Sequence, residues 1–196
     1  FDWNELCIVE FPVPPIEKQK SIVKAYKIIT DRITLKTQIN DNLVDTLQTL
    51  YKRQFIESEV AYLQKPLGEV CSKIGSGATP KGGKTAYCEE GISLIRSTNV
   101  FDFCFSYTDL AHISDAQADA LSKVIVEAND VLFNITGVSV ARWCMVPNDV
   151  LPARVNQHVM IIRPTAGKYM SYYLMAALCS TDNKSKLLGI GQSGST

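Results

Sequence analysis

Few side chains in this chain are of a type and spacing to do chemistry. Histidine occurs only at His112 and His158. Neither belongs to a recognisable Ser/His/Asp or Cys/His set, so no nucleophile–base reaction is indicated and no catalytic residue is assigned. The six cysteines, Cys7, Cys71, Cys88, Cys104, Cys144 and Cys179, are scattered. They form no CxxC pair and have no histidine at ligand spacing. Zinc needs ligands clustered on turns, so no metal site is assigned and the thiols read as buried, reduced side chains.

A run from Gly77 to Thr85, GATPKGGKT, looks at first like a phosphate-binding P-loop. The spacing fails, because the glycine required five positions before Gly83 is Ala78. Pro80 also removes a backbone donor from the cradle, and no long apolar helix follows Thr85. A flexible loop carrying Lys81 and Lys84 is better suited to touching a nucleic-acid backbone, or it is simply a solvated loop. Asn134-Ile-Thr136 matches a glycosylation sequon but not the Asn-Pro-Pro-aromatic motif of an adenine methyltransferase.

What remains are side chains that pair with phosphates or base edges. Lysine neutralises phosphate. Arginine pairs with guanine, and glutamine or asparagine with adenine, through matched donors and acceptors in the major groove. The candidate DNA contacts are Lys81, Lys84, Arg96, Asn134, Thr136, Arg142, Gln157, His158 and Gln192, with Arg96, Arg142 and Gln157 the leading base readers. Asn156-Gln157-His158 is equally the kind of run that satisfies the backbone of a turn.

These residues need elements to hold them. Residues 1–15 read as a strand or extended segment, since the prolines of Phe11-Pro-Val-Pro-Pro15 exclude a helix there. No proline or glycine then occurs from Ile16 to Lys65. Apolar residues recur at Ile22, Tyr26, Ile29 and Ile33, then at Ile39, Leu43, Leu47 and Leu50, in steps of mostly three and four. This predicts a helix from about Glu17 to about Ser58, roughly 60 Å long at ~1.5 Å per residue. A helix so long with a narrow apolar seam pairs with another long helix. Its expected interface is Ile22, Tyr26, Ile29, Ile33, Leu43, Leu47 and Leu50.

From Pro66 the character changes. A short helix is expected at Pro66–Cys71, a glycine loop at 75–83, strands at Ile92–Arg96, Val131–Ile135, Ser139–Val146 and His158–Arg163, and helices at Ser114–Leu121, capped by Ser114 with Gln117, and Lys168–Ser180. The fold class is thus α/β in the mixed α+β sense: a compact domain of short strands and helices with one long protruding coiled-coil-like helix. The segments are 1–15, extended; 16–65, long helix; and 66–196, compact domain.

Composition agrees with a soluble globular chain, at 46% hydrophobic and 20% charged residues. The longest apolar stretches are too short to span a bilayer, so no membrane partner is expected. With no leader visible, a cytoplasmic location is expected. The net charge of zero lacks the basic excess of autonomous nucleic-acid binders. A basic face balanced elsewhere, or affinity borrowed from partner subunits, remains open.

Several stretches, in order, resemble one family. Phe11-Pro-Val-Pro-Pro-Ile-Glu-Lys-Gln-Lys-Ser-Ile-Val23 followed by a long helix is similar to the proline-rich strand end and spacer helix of type I restriction-modification specificity subunits. Pro66-Leu-Gly-Glu-Val, Gly75-Ser-Gly-Ala-Thr-Pro80, Gly91-Ile-Ser-Leu-Ile-Arg96, Asn129-Asp-Val-Leu-Phe133 with Thr136-Gly137, Asn156-Gln-His-Val159 and Gly191-Gln-Ser-Gly-Ser-Thr196 resemble successive landmarks of that family. The resemblance implies a non-catalytic target-recognition domain that reads one half of a split site in double-stranded DNA. It implies a spacer helix that docks modification (methyltransferase) subunits and, through them, restriction subunits. It implies no cofactor on this chain. A full subunit carries two such domains and two antiparallel spacer helices, whereas this chain holds one of each. That leaves a half-subunit that self-associates, a fragment, or a permuted domain. In the permuted case Leu6, Ile8, Val9 and Phe11 would complete the recognition domain, with Phe1 near Thr196. The alternative function is a protein-interaction adaptor working through the long helix without DNA contact.

Overall fold

The computed structural model describes residues 2–193, with side chains to residue 191. Two units divide the chain, Phe1–Thr46 and Leu47–Thr196.

In the first unit, Asp2 accepts the Asn4 amide at 2.9 Å and caps a short helix, α1 (Trp3–Cys7). A strand or extended segment was expected over residues 1–15; at Trp3–Cys7 the capping carboxylate selects a helical turn instead. The prolines keep the next residues extended up to α2 (Ile16–Tyr51). The Pro15 carbonyl receives the amides of Lys18 and Gln19, and the Gln19 side chain closes on the Pro14 carbonyl at 2.7 Å. Thr30, Thr37 and Thr46 turn their hydroxyls back onto carbonyls one turn earlier, so these β-branched polar residues stay satisfied inside the helix. Within this unit Leu6, Ile8, Val9 and Phe11 are exposed, as are Ile22, Tyr26, Ile29, Ile33 and Leu43.

α2 ends sooner than its composition suggests. After Tyr51 the helix widens into one π-helical turn, Lys52–Ile56, closed by the Glu57 amide on the Lys52 carbonyl. The chain then folds back, because Tyr62 packs tilted against Phe55 with ring centres 5.3 Å apart and donates its hydroxyl to the Gln54 carbonyl. Residues 57–65 are therefore not helical.

The second unit continues with α3 (Leu67–Val70), β1 (Cys71–Ser76), β2 (Tyr87–Cys88), β3 (Ile92–Ile95), β4 (Val100–Phe101), β5 (Cys104–Phe105), β6 (Ala111–Ile113) and α4 (Asp115–Ala120). It closes with β7 (Ile125–Val126), β8 (Val131–Asn134), β9 (Trp143–Met145), β10 (Ala153–Val155), β11 (Val159–Pro164), α5 (Lys168–Cys179) and α6 (Thr181–Ser193). One sheet has the order β1-β11-β8-β9, antiparallel throughout. A second has the order β2-β6-β3-β10-β7, with β3 and β10 parallel. β4 and β5 form a small hairpin. Both sheets feed one core. Leu94, Ile95, Ile113 and Val155 come from the second sheet, and Leu132, Cys144, Val159 and Ile161 from the first. The mixed α+β class with a long helix is the observed one.

The last turns of the long helix are anchored inside this unit. Tyr51 and Phe55 meet Tyr173 of α5 at ring-centre distances of 6.0 and 5.1 Å, and Gln48 donates to the Cys179 carbonyl at 3.1 Å. Burial, with the Tyr173 hydroxyl bond second, pushes the Tyr51 phenol up to about 12. The expectation of buried thiols holds for Cys144 and Cys179; Cys7, Cys88 and Cys104 are exposed, Cys7 at the end of α1 and the other two on the short strands β2 and β5. Among the described residues no helix is long and apolar enough to cross a membrane.

Candidate nucleic-acid interface

Strand register decides which loops can share a surface. Ser76 at the end of β1 lies beside Met160, and Asn134 at the end of β8 lies beside Val159. The loop after β1, the connection after β8 and the turn before β11 therefore leave the first sheet at one end. In the second sheet β3 and β10 run in the same direction, with Val155 opposite Ile95, and the Asn156 amide donates to the Ile95 carbonyl at 3.0 Å. Arg96 and Gln157 accordingly emerge beside one another.

Gly77 makes the convergence possible. Its amide donates to the Val159 carbonyl at 3.0 Å, and the Ala78 amide to Val155 at 3.2 Å. A Cβ on Gly77 would sit 1.9 Å from the Val155 oxygen and 2.4 Å from that of Asn156, so no other residue fits. Asn156 does the complementary work. Its buried carboxamide accepts the His158 amide at 3.1 Å, an Asx turn that presents Gln157 and His158 outward.

A chain of side-chain hydrogen bonds results. Thr79 donates its hydroxyl to Gln157 Oε1 at 2.6 Å. Gln157 Nε2 lies 3.0 Å from His158 Nε2, and His158 Nδ1 lies 2.6 Å from Thr136 Oγ1. Gln157 Nε2 can only donate, so in the neutral ring Nε2 accepts and Nδ1 carries the proton toward Thr136. One Gln157 N–H and the Thr136 O–H are left over as donors facing outward. Donors of this kind can pair with polar edges. Lys81 and Lys84 follow on the same loop as Thr79, both exposed. Gln117 of α4 ties that loop down by donating to the Lys81 carbonyl at 3.1 Å.

The sequence-predicted contacts therefore divide. Thr136, Gln157 and His158 come together, and Lys81 and Lys84 lie further along the loop that carries Thr79. Arg96 is half-buried: its guanidinium donates to the Asp109 carbonyl and lies over the Tyr87 ring, 5.6 Å from its centre. Arg142 lies over Phe101 at 5.1 Å. Asn134 is a correction. It is fully buried and ties the Ser97 and Val100 carbonyls at 3.0 and 3.2 Å, so it positions the end of β8 and touches nothing outside. Gln192 lies outside the residues whose side chains are described. Thr79 is not among the sequence candidates, whereas Asn156 takes the turn-forming role that the Asn156-Gln157-His158 run allows.

The opposite end of the same sheet is closed by an ion cluster. Buried Asp130 accepts Arg163 Nε at 2.7 Å and Nη2 at 2.8 Å, and also the Glu127 amide at 2.7 Å. Arg163 reaches Glu127 as well. The hydrogen bonds it donates to Asp130 raise the Arg163 guanidinium above its ordinary value. Among the described residues no group of three or more His, Cys, Asp or Glu is placed to hold a metal.

No protein-family model matches the chain, and no curated protein matches it. Among solved structures it is similar to the HsdS subunit from Thermoanaerobacter tengcongensis, at 18% identity and a TM-score of 0.45, over 88% of this chain and 46% of that one. It is also similar to a chain from a study of complex assembly and conformational transition of the type I R-M system, at 19% identity and a TM-score of 0.44, over 88% of this chain and 45% of that one. The chain thus spans under half the length of either.

Proposed function

We propose that this chain is the target-recognition part of a type I restriction-modification specificity subunit, without catalysis of its own. It reads one half of a split site in double-stranded DNA. α2 pairs with a second spacer helix or a second copy of the chain and docks modification subunits, which in turn recruit restriction subunits. The observation that carries this reading is the polar chain Thr79–Gln157–His158–Thr136, built where the stretches Gly75–Pro80, Thr136-Gly137 and Asn156–Val159 meet. Stretches that resemble family landmarks in sequence thus meet in one polar row, and two exposed lysines follow on the loop that carries Thr79. Phosphate contacts from Lys81 and Lys84 position the module, and the polar chain reads bases.

The test is selection of duplex DNA from a random pool by the chain, with and without modification subunit, at low salt. Enrichment of a short half-site motif that is lost in a Gln157→Ala/His158→Ala variant supports the reading. No enrichment in either arm sinks it. The exposed apolar seam of α2 favours a second reading, an adaptor that binds protein alone. Complex formation with modification subunit, together with no DNA selectivity, would establish that reading instead.

A further inference from the structure

The row Thr79–Gln157–His158–Thr136 ends in a hydroxyl on each side, and a hydroxyl can donate or accept. Its inner members are more restricted. A carboxamide has one accepting and one donating end, and a neutral imidazole has one donor and one acceptor. In the structure the Gln157 amide turns its oxygen to Thr79 at 2.6 Å and its nitrogen to His158 Nε2 at 3.0 Å. The ring proton therefore sits on Nδ1, 2.6 Å from Thr136 Oγ1. Every donor in the row points from Thr79 towards Thr136.

A second proton on the ring does not fit that order. Both ring nitrogens then donate. Thr136 still accepts from Nδ1, but Nε2–H now faces the Gln157 amino group, donor against donor. The partners cannot simply draw apart, because backbone bonds tie their segments together. The Ala78 amide donates to Val155 at 3.2 Å, the Ile135 amide to the His158 carbonyl at 3.1 Å, and the His158 amide to Asn156 at 3.1 Å. A half-turn of the carboxamide about its last torsion is open instead, since that torsion is broad and two-fold. After it, Gln157 Oε1 accepts from Nε2–H and a Gln157 N–H donates to Thr79, whose own hydrogen is released.

We propose that this row is a proton-operated switch, in which a proton taken up by His158 turns the Gln157 carboxamide over and reverses the hydrogen bond to Thr79. The neutral row shows one Gln157 N–H and the Thr136 O–H outward. The charged row adds the Thr79 O–H and a positive charge. Only the bearing of this switch on DNA rests on the reading above.

The surroundings leave the proton free to come and go. Histidine is the side chain whose charge ordinarily changes between about pH 5 and 8. Residues 76–84, 135–142 and 154–159, which carry the row, hold no Asp or Glu that would keep the ring charged. Their charged groups are Lys81, Lys84, Arg142 over the Phe101 ring, and Arg154, buried on the Ala118 and Ala153 carbonyls. Arg96, on the neighbouring strand end, is engaged by the Asp109 carbonyl.

Nitrogen NMR of the full chain tests this, with histidine and glutamine side chains labelled. Only His112 and His158 contribute rings, and a His158→Asn variant identifies the second. At about pH 8 the His158 ring should carry its proton on Nδ1, and towards about pH 5 the Gln157 amino signals should shift with the same midpoint as the ring. Thr79→Val should displace the acidic Gln157 signals more than the alkaline ones, because Thr79 is the nitrogen's partner only in the charged row. Thr79→Ser should restore them. A ring protonated on Nε2 on the alkaline side overturns the switch. So do Gln157 signals that stay constant while the ring titrates, or a Thr79→Val variant that displaces the alkaline signals alone. On the DNA reading, the ratio of affinities for matched and mismatched duplexes follows the same midpoint, and a ratio that ignores pH overturns the link to recognition. A chain with no sequence preference at any pH sinks the DNA reading instead, and the NMR titration, made without DNA, still decides the switch.

Discussion

The two ends of the β1-β11-β8-β9 sheet are built from opposite materials. At one end Asp130 is buried and its oxygens are taken up by Arg163 and the Glu127 amide, so the charge serves the fold. At the other, Thr79, Gln157, His158 and Thr136 satisfy one another in an exposed row and leave donors pointing outward. β8 and β11 run through both ends, with Asp130 just before β8 and Thr136 just after it. On the proposed function, the difference separates stability from recognition along a single strand. Polar groups that face inward are costly to lose, and polar groups that face outward are cheap to change. That contrast is what a recognition module needs if its specificity is to vary without unfolding it.

The largest expected effect is at the closed end. Asp130→Ala leaves Arg163 partly buried without its main partner, and breaking such a pair costs about 3–5 kcal/mol. The urea midpoint should fall accordingly, while the folded protein at low temperature keeps its DNA affinity. A variant as stable as the parent would show that this end is no anchor. Next comes Gly77→Ala. The added Cβ overlaps the Val155 and Asn156 oxygens, and relieving such overlap costs about 1–3 kcal/mol. Because the shift displaces the turn that carries Gln157, this change should lower both stability and sequence discrimination. If it lowers stability alone, the recognition end is not where the polar chain lies.

At the open end the order reverses, with small effects on folding and clear effects on DNA. Gln157→Ala with His158→Ala should change stability by no more than about 0.5 kcal/mol. Loss of base contacts should cost about 1–3 kcal/mol of discrimination against the wrong base. Lys81→Ala and Lys84→Ala should instead weaken all sequences alike and reduce the salt slope by about 0.9 per lost phosphate contact. Titrations of matched and mismatched duplexes at several salt concentrations read both quantities. A lysine variant that changes base preference would undo the division between positioning and reading.

How far the sequence shows this contrast depends on the residue. β3, β8 and β11 are rich in β-branched or other apolar residues and bounded by turn formers, so their positions are readable. Ser114 is readable as a cap because its oxygen receives the Gln117 amide. β1 is not readable, since Gly75 and Gly77 look like loop until the close approach to Val155 is seen. β6 and β10 hold three residues each and carry no pattern long enough to register. α6 is masked by Gly189 and Gly191. For single residues the ambiguity is sharper: Asn134 ends β8 and Gln157 lies in the turn before β11, both amides, and only the structure shows that one faces the core and the other solvent.

The smallest expected effect lies between the two ends, at Cys144, which pairs with Leu132 in the middle of the β8–β9 ladder. Burial pushes this thiol up from 9.0 to about 12. The folded state therefore holds the neutral thiol over a range where the unfolded chain ionises. The group favours folding fully below pH 9, and that contribution is lost progressively as pH rises from 9 toward about 12. Thermal unfolding should show Tm falling over this window. Cys144→Ala should lower Tm at every pH, because it leaves a small cavity, but it should flatten the alkaline decline. Tyr51, raised to about 12 from 10.0, keeps a second decline that begins about one pH unit later in both proteins. The difference in Tm between parent and variant should hence be constant from pH 7 to 9 and shrink above it. A difference that stays constant to pH 11 would mean the thiol ionises as readily folded as unfolded, and that the middle of the sheet is as open to water as its recognition end.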